Sequence, residues 1–429
     1  MSSAMGAEQQ PEGGSQAYSL IKLAVVVVAV VVLAVYAGYS DVLIVVAALV
    51  FMIMLHEFGH LVMAKLGHMK VTEYFLGFGP RIWSIKKGET EYGIKAIPAG
   101  GYVKIIGMTN LDEVPPEDEA RTYRQQPFWR RMSVALAGSF THFFMAAVML
   151  WILFSFIGLP VANKVQVQAL LHLDNATNPA KAGGLVPGDV LVSVDGHRIT
   201  GYQQLSSLIE HSVNKPLKMV VTDNGHIHRV VVVPVDGRKV LFRGKPFMPP
   251  SAKYPGVIGV ELTHPTQTVN PFVGLAKAAQ GLGRFTTASF GALGTIFSLH
   301  GLTSYLHQLS SSSAAAKAAK SDAPRLESIY GAVRTAAQGA KAGPGYLLIV
   351  LISINVFVGL INLAPMLPLD GGHVVIAIYE RIRSRHGRMY HMDVSKLMPL
   401  TYTVVLILIL LFASSFYLDV THPLANPFK

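Results

Sequence analysis

Apolar residues in this chain gather into long runs separated by polar, mostly basic connections. Residues 23–40 are uncharged and rich in Val, Ala and Leu, just long enough for a helix to cross a bilayer. A second run extends from Val42 to about Ala64. Only Asp41 separates the two, so residues 37–42 predict a tight turn between helices. Further runs cover about 133–159, 345–363 and 397–416. The pattern predicts five spans, or four if the first run is not inserted. No Lys or Arg precedes Lys22, which argues for a retained helix rather than a cleaved secretory signal. Residues 1–18 are polar and predict a disordered tail.

Between the runs the periodicity changes. Residues 71–106 include a strand-like alternation, EYGIKAIPAGGYVKII, punctuated by Gly77, Gly79, Pro80, Gly100 and Gly101. It predicts a small sheet, either cytoplasmic or dipping into the membrane where protein shields its backbone. Over 164–236 the strand-like segments KVQVQALL, DVLVSVDG, KMVVTDN and HRVVVVPV surround a helical one, YQQLSSLIEHS. That mixture predicts one small α+β domain. Residues 270–310 predict amphipathic helices on the outer membrane surface, and Ser310–Ser313 with AAAKAAKSDAPR predicts a linker or loosely held helix. The chain therefore divides into a tail (1–18), an extra helix (19–40), a first part of a membrane core (41–159), an outer domain (160–240), a juxtamembrane region and linker (241–344) and a second core part (345–429).

Composition agrees. Of 429 residues, 51% are hydrophobic and 14% charged, too apolar for an ordinary soluble protein. The formal charge of +11 reads as basic loops at a membrane face, not as a nucleic-acid surface. Residues 65–131 carry 11 Lys or Arg, and 380–396 carry Arg381, Arg383, Arg385, Arg388 and Lys396. Both loops are expected in the cytoplasm and the 160–240 domain outside it. With no Cys, any metal must be held by His and carboxylates.

The second run contains a contradiction, HEFGH at 56–60. His56 and His60, four apart, share one helix face, and Glu57 lies beside them without being a ligand. This is the His-Glu-x-x-His arrangement of zinc peptidases, in which the Glu is a general base. Three ionisable groups in a span are costly unless function or a cation compensates. Two His leave a catalytic zinc one protein ligand short. Asp370, in NLAPMLPLDGGHV, is the best candidate, with Gly371 and Gly372 allowing a tight turn and His373 an alternative ligand.

HEFGH and NLAPMLPLDGG together resemble the site-2 protease family of intramembrane zinc metalloproteases, in its bacterial form with an outer PDZ domain. GFGP, ETEYGIKAIPAGGYVKIIGM and AGGLVPGDVLVSVDG also match, and the resemblance covers about 42–416. It implies an α-helical polytopic membrane protein of about five spans, four in the catalytic core. An inserted α+β PDZ-like domain and a small membrane-associated β-sheet complete it. It implies His56, His60 and Asp370 as Zn2+ ligands and Glu57 as catalytic base. Asn362 is expected near the site, and Gly100, Gly101, Tyr102 and Val103 along the substrate path. Implied partners are the lipid bilayer and membrane-protein substrates with a transmembrane segment, such as anti-sigma factors or remnant signal peptides, usually after a first cut by an upstream site-1 protease. The PDZ-like domain is expected either to bind chain ends or to filter substrates by size. A non-catalytic scaffold is the alternative, and a metal transporter a third reading. Where bacterial relatives commonly have Ala-Gly-Pro-x-x-Asn, this chain has AGSFTH at 137–142. His142 is expected to satisfy a backbone carbonyl or, less favoured, to disturb proton balance in the site.

Overall fold

The computed structural model describes residues 13–109, 112–161, 163–223, 225–321, 325–384 and 390–428. The first twelve residues of the expected tail, Arg385 and Arg388 of the basic loop, and 322–324 of the expected linker lie outside them. The chain divides into two compact units, 1–152 with 275–429, and 153–274.

In the first unit, α1 (Gly13–Tyr36) turns through Gly38 into α2 (Ser40–Leu66). Helix α1 starts ahead of the expected boundary at 19. Once a helix is nucleated in the apolar run, each further residue adds a hydrogen bond at little cost. Then come β1 (Val71–Lys87), β2 (Thr90–Ile105) and α3 (Phe128–Ile152). Among the described residues, four helices are long and apolar enough to cross a bilayer: Ser40–Leu66, Phe128–Ile157, Pro344–Asn362 and Val394–Thr421. The first predicted span is a shorter apolar helix, Leu20–Tyr36.

Strands β1 and β2 are not a plain hairpin. Glu73, Tyr74, Phe75 and Leu76 each have two partners, one among 91–94 and one among 101–104. Each long strand therefore folds over, giving four segments in the order 81–87, 90–97, 71–78, 101–105. The fold in β1 falls at Gly77 and Gly79, whose φ values of 88° and 82° are strained for other residues. A Cβ on Gly77 would also lie 2.7 Å from the Ile97 carbonyl oxygen. The last segment, 101–105, is left as an edge. Buried Leu61, Ala64, Met69, Val71, Ile105, Tyr123 and Val134 cement this sheet to α2 and α3.

The second unit holds α4 (Pro179–Ala182) and α5 (Tyr202–Glu210) with an antiparallel sheet. Its strand order is Val260–Thr263, Val165–Leu170, Val190–Val194, Leu217–Asp223, His226–Val232, with His197–Arg198 pairing on Val190–Val194. Alternate residues of these strands, including Val165, Val167, Met219, Val221, Val230 and Val232, pack with Leu205 and Ile209 of α5 in one core. The strand at 260–263 lies beyond the expected edge of the domain at 240, because it completes the sheet beside Val165–Leu170.

The chain continues through α6 (Pro271–Ile296), α7 (Leu299–Ser310), α8 (Ser312–Ala318), α9 (Ile329–Ala342), α10 (Pro344–Asn362), α11 (Asp370–Arg383) and α12 (Met398–Thr421). The expected linker is ordered where described. Ala315 of α8 is buried against Tyr305 and Leu418. Next to it, Arg325 Nη2 lies 2.5 Å from Asp419 Oδ1 of α12, with the two side chains 2% and 0% exposed. Ser328 donates to Asp419 Oδ2 through its backbone amide at 2.7 Å and its hydroxyl at 2.8 Å, and its hydroxyl oxygen also caps α9 by accepting from the Gly331 amide. One fully buried carboxylate thus holds the start of α9 and the end of α12 together.

Removing one partner of a buried pair strands the other charge, at a cost of about 3–5 kcal/mol. Asp419→Ala is therefore expected to lower the melting temperature in detergent sharply, and pairing it with Arg325→Met to recover part of the loss. An unchanged melting temperature for Asp419→Ala would show that this pin does not hold the bundle.

Candidate metal centre

The site forms where α2, α3 and α11 meet. On α2, His56 Nε2 and His60 Nε2 are 3.3 Å apart. From α11, Asp370 Oδ2 stands 3.5 Å from His56 Nε2 and 3.3 Å from His60 Nε2. These are the residues that could hold a metal ion among those described. Zinc bound tetrahedrally at about 2.0–2.1 Å needs neighbouring ligand atoms about 3.3–3.4 Å apart, and the three atoms already stand at that separation.

The surroundings fit the same purpose. His60 Nδ1–H donates to the Val134 carbonyl at 2.8 Å, which leaves the Nε2 lone pair facing its two companions. Asp370 Oδ2 is buried and accepts no hydrogen bond. Gly138 of α3 forms the floor: a Cβ there would come within 2.3 Å of His56 Cε1, 2.5 Å of His60 Nε2 and 2.7 Å of Asp370 Oδ2. Gly59 lets α2 and α3 approach, since its Cβ would lie 2.4 Å from Thr141 Oγ1. Gly371 and Gly372 act by close approach, not by an unusual turn conformation. Their Cβ atoms would lie 2.3 Å from the Ala364 oxygen and 2.6 Å from the Leu367 nitrogen, so they let α11 start tight against the end of α10.

A family model for peptidase family M50 matches residues 44–410, which include all these residues. The chain belongs to that family. Among curated proteins, it is 30% identical over 408 residues to the zinc metalloprotease Rip1 of Mycolicibacterium smegmatis, covering 89% of this chain and 96% of the relative. Rip1 of Mycobacterium tuberculosis (strain H37Rv) is 28% identical over 413 residues, with the same coverage. A putative zinc metalloprotease of Clostridium acetobutylicum is 26% identical over 352 residues, covering 81% of this chain and 89% of the relative. This M50 chain is a zinc metalloprotease of the site-2 type, a multi-pass membrane protein whose cofactor is Zn2+. The scaffold reading is not favoured.

Glu57 is half-buried beside the ligand cluster, and the edge segment of β2 runs along it. A Cβ on Gly101 would lie 3.2 Å from Glu57 Cγ and 3.2 Å from Met54 Sδ. Tyr74 fixes the sheet there by donating its hydroxyl to the Met54 carbonyl at 2.8 Å. Tyr102 is stacked between Phe75 and Phe78, and its hydroxyl is engaged by Glu73 and by Lys95, whose ammonium donates at 2.6 Å. Gly100, at φ 152°, packs against Phe78. Asn362 is half-buried at the last turn of α10. His373, the alternative ligand, is outside the cluster and packs edge-on to the Tyr123 ring at 6.3 Å, one turn along α11 from Asp370.

His142 departs from the favoured expectation. It does not satisfy a backbone carbonyl. Its Nδ1 lies 2.9 Å from Asn355 Oδ1, and Asn355 Nδ2 donates to the Leu351 carbonyl at 2.9 Å. Asn355 Oδ1 is then the acceptor and His142 Nδ1–H the donor. The His142 ring stands 5.0 Å from that of His56. Asn355 is fully buried and was missed, although an Asn in the middle of the apolar run 345–363 is itself a signal. Also missed was Arg131 of α3, whose Nη2 lies 2.5 Å from Glu380 Oε2 and ties α3 to the helix that carries Asp370.

Gly138→Ala tests the cradle. In a helix interior this change is ordinarily favourable by about 1 kcal/mol, so the helix itself should tolerate it. Here the added methyl intrudes among all three candidate ligand residues. Zinc affinity is expected to fall on the order of tenfold or more with the circular-dichroism spectrum retained. Wild-type zinc affinity by chelator competition would show that the cradle lies elsewhere.

Proposed function

We propose that this M50 protease cuts other proteins within their membrane-embedded segments, with His56, His60 and Asp370 holding zinc and Glu57 acting as general base. The observation that carries this reading is that three potential ligand atoms converge on one point while Glu57, next to His56 on α2, has the edge segment of β2 packed against it. When bound, zinc supplies Lewis-acid activation of water and of the scissile carbonyl. Glu57 accepts the proton of the attacking water and returns it to the leaving amine nitrogen. A transmembrane helix hides its peptide bonds in its own hydrogen-bond ladder, so the segment must first be unwound. Gly100, Gly101, Tyr102 and Val103 then act as a template: the edge pairs with the extended segment and replaces its lost hydrogen bonds. Gly101 lets backbone lie close to Glu57, and Asn362 steadies substrate at the end of α10.

The finer organisation follows the same reading. The loops rich in Lys and Arg are cytoplasmic, the second unit is a PDZ-like domain outside that screens substrates already trimmed by a site-1 protease, and α1 is an additional span. The substrates are membrane proteins such as anti-sigma factors or remnant signal peptides. Reporter tags at residues 115 and 390 are expected to read cytoplasm and one at 225 outside. A cytoplasmic signal at 225 would reverse the orientation.

The chemistry is tested with purified variants and a model membrane substrate. Glu57→Gln should keep its zinc and lose cleavage, because the amide cannot take the proton. Val103→Pro, which removes a backbone donor, should keep zinc and slow cleavage. Substrates with Gly or Pro near the cut should be cleaved faster than Leu-rich ones, since these residues lower helix stability by about 1 and 3 kcal/mol relative to Ala in water. Full activity of Glu57→Gln would remove the base. Equal rates on both substrates, with a fully active Val103→Pro enzyme, would remove the strand template.

A further inference from the structure

Helix α6 has no role in the chemistry above. From Leu275 to its end most of its residues are at least half-exposed, with Ala278 and Gly281 buried on one narrow side. Cβ atoms on Gly283, Gly291 and Gly294 would meet nothing within 4 Å. Leu275, Leu282, Phe290 and Leu293 recur at spacings that keep them on one stripe of the helix, and Phe297 extends it. Leu275 is 64% exposed and Phe290 70%. Lys277 and Arg284, seven residues apart, share the opposite side, and both are exposed. Yet α6, long as it is, is not among the helices apolar enough to cross a bilayer.

The charge around this helix is one-sided. No Asp or Glu occurs from residue 262 to 321, while Lys277, Arg284, Lys317 and Lys320 do. All four cations are exposed, and none forms an ion pair among the described residues. A helix with an exposed to half-exposed apolar stripe, a basic opposite side and no acid in its own sequence has the composition of one lying in a membrane interface. A soluble protein partner would meet a face of Leu and Phe with no acidic group to orient it. An anionic lipid headgroup complements the cations, and its acyl chains complement the stripe.

We propose that α6 lies in the bilayer interface and that its ligand is anionic phospholipid, gathered by Lys277 and Arg284 beside the membrane unit. The inference rests on the chain being a membrane protein, not on its being a protease. An anionic patch held there would retain basic segments flanking a membrane substrate close to the enzyme.

The absence of Cys makes a direct test available. Phe290→Cys and Arg284→Cys each give full-length protein with one labelling site for a fluorophore. Labelled protein is reconstituted into vesicles of phosphatidylcholine alone or mixed with phosphatidylglycerol. The probe at 290 should be quenched by spin-labelled lipid and shielded from aqueous iodide, with the reverse bias at 284. Spin-labelled phosphatidylglycerol should quench the 290 probe more than spin-labelled phosphatidylcholine does. Adding Lys277→Glu and Arg284→Glu to the Phe290→Cys protein should cut that preference by roughly fivefold or more. Three outcomes would overturn the proposal. One is iodide access to the probe at 290 in the bilayer. Another is a lipid preference unmoved by the charge reversal. The third is disulfide-linked dimers through position 290, which would place a second copy of the chain on this face. Zinc content, followed in parallel, should not change, so a failure here is distinct from a failure of the metal centre.

Discussion

Everything at the centre of this protein depends on bringing three donor atoms of His56, His60 and Asp370 to about the edge length of a coordination tetrahedron inside an apolar bundle. Side chains alone do not achieve this. The helices that carry them must approach more closely than ordinary residues allow, and glycine makes each approach: Gly59 between α2 and α3, Gly138 beneath the donor atoms, Gly371 and Gly372 where α11 starts against α10. Elsewhere a buried Gly weakens a helix by about 1 kcal/mol relative to Ala. Here that loss is offset by geometry that no larger residue can provide.

The same spatial demand links the metal centre to the sheet. Gly101 sits against Glu57, so the edge segment 101–105 can run along the site without pushing the carboxylate away. Folding β1 and β2 over at their glycines creates that edge, because a plain two-stranded hairpin would place 101–105 next to 71–76 with nothing behind it. In the folded sheet, 71–76 is instead backed by 91–94 and 81–87, and Tyr74 and the Phe75–Tyr102–Phe78 stack hold it. The proposed peptide template requires one edge on an otherwise stiff support, and segment 101–105 is the outer segment of this sheet.

What could be read from the sequence was whatever announces itself locally. His56, Glu57 and His60 stand out because ionisable groups are rare in apolar runs, and Asp370 because it follows a run broken by Pro365 and Pro368. The spans and the strands of the second unit were legible by periodicity. The rest depends on partners distant along the chain. Gly138 matters through the space it leaves between α2 and α11, and a lone Gly in AGSFTH carries no mark of that. Arg325 and Asp419 are 94 residues apart, and Arg325 sits in a stretch of Ser, Ala and Lys that reads as solvated linker. The doubled sheet was hidden because long strands with Gly kinks look like one hairpin until their register is known.

Charge accounting separates the structural from the chemical parts of the membrane unit. Asp419 is buried with Arg325, and Glu380 with Arg131, so each carboxylate has a guanidinium within 2.5 Å and the pair is neutral. These pairs join helices and need nothing more. Asp370 is largely buried too, but its neighbours are two imidazoles, and its Oδ2 accepts no hydrogen bond. One of those imidazoles, His60, has its Nδ1 proton committed to Val134, so its other nitrogen presents a lone pair to the carboxylate in the neutral form. The His60 lone pair and the carboxylate charge facing each other at 3.3 Å repel unless a cation or a proton lies between them. The arrangement is costly as a structural device and has the spacing of a metal site, which is the role proposed for it.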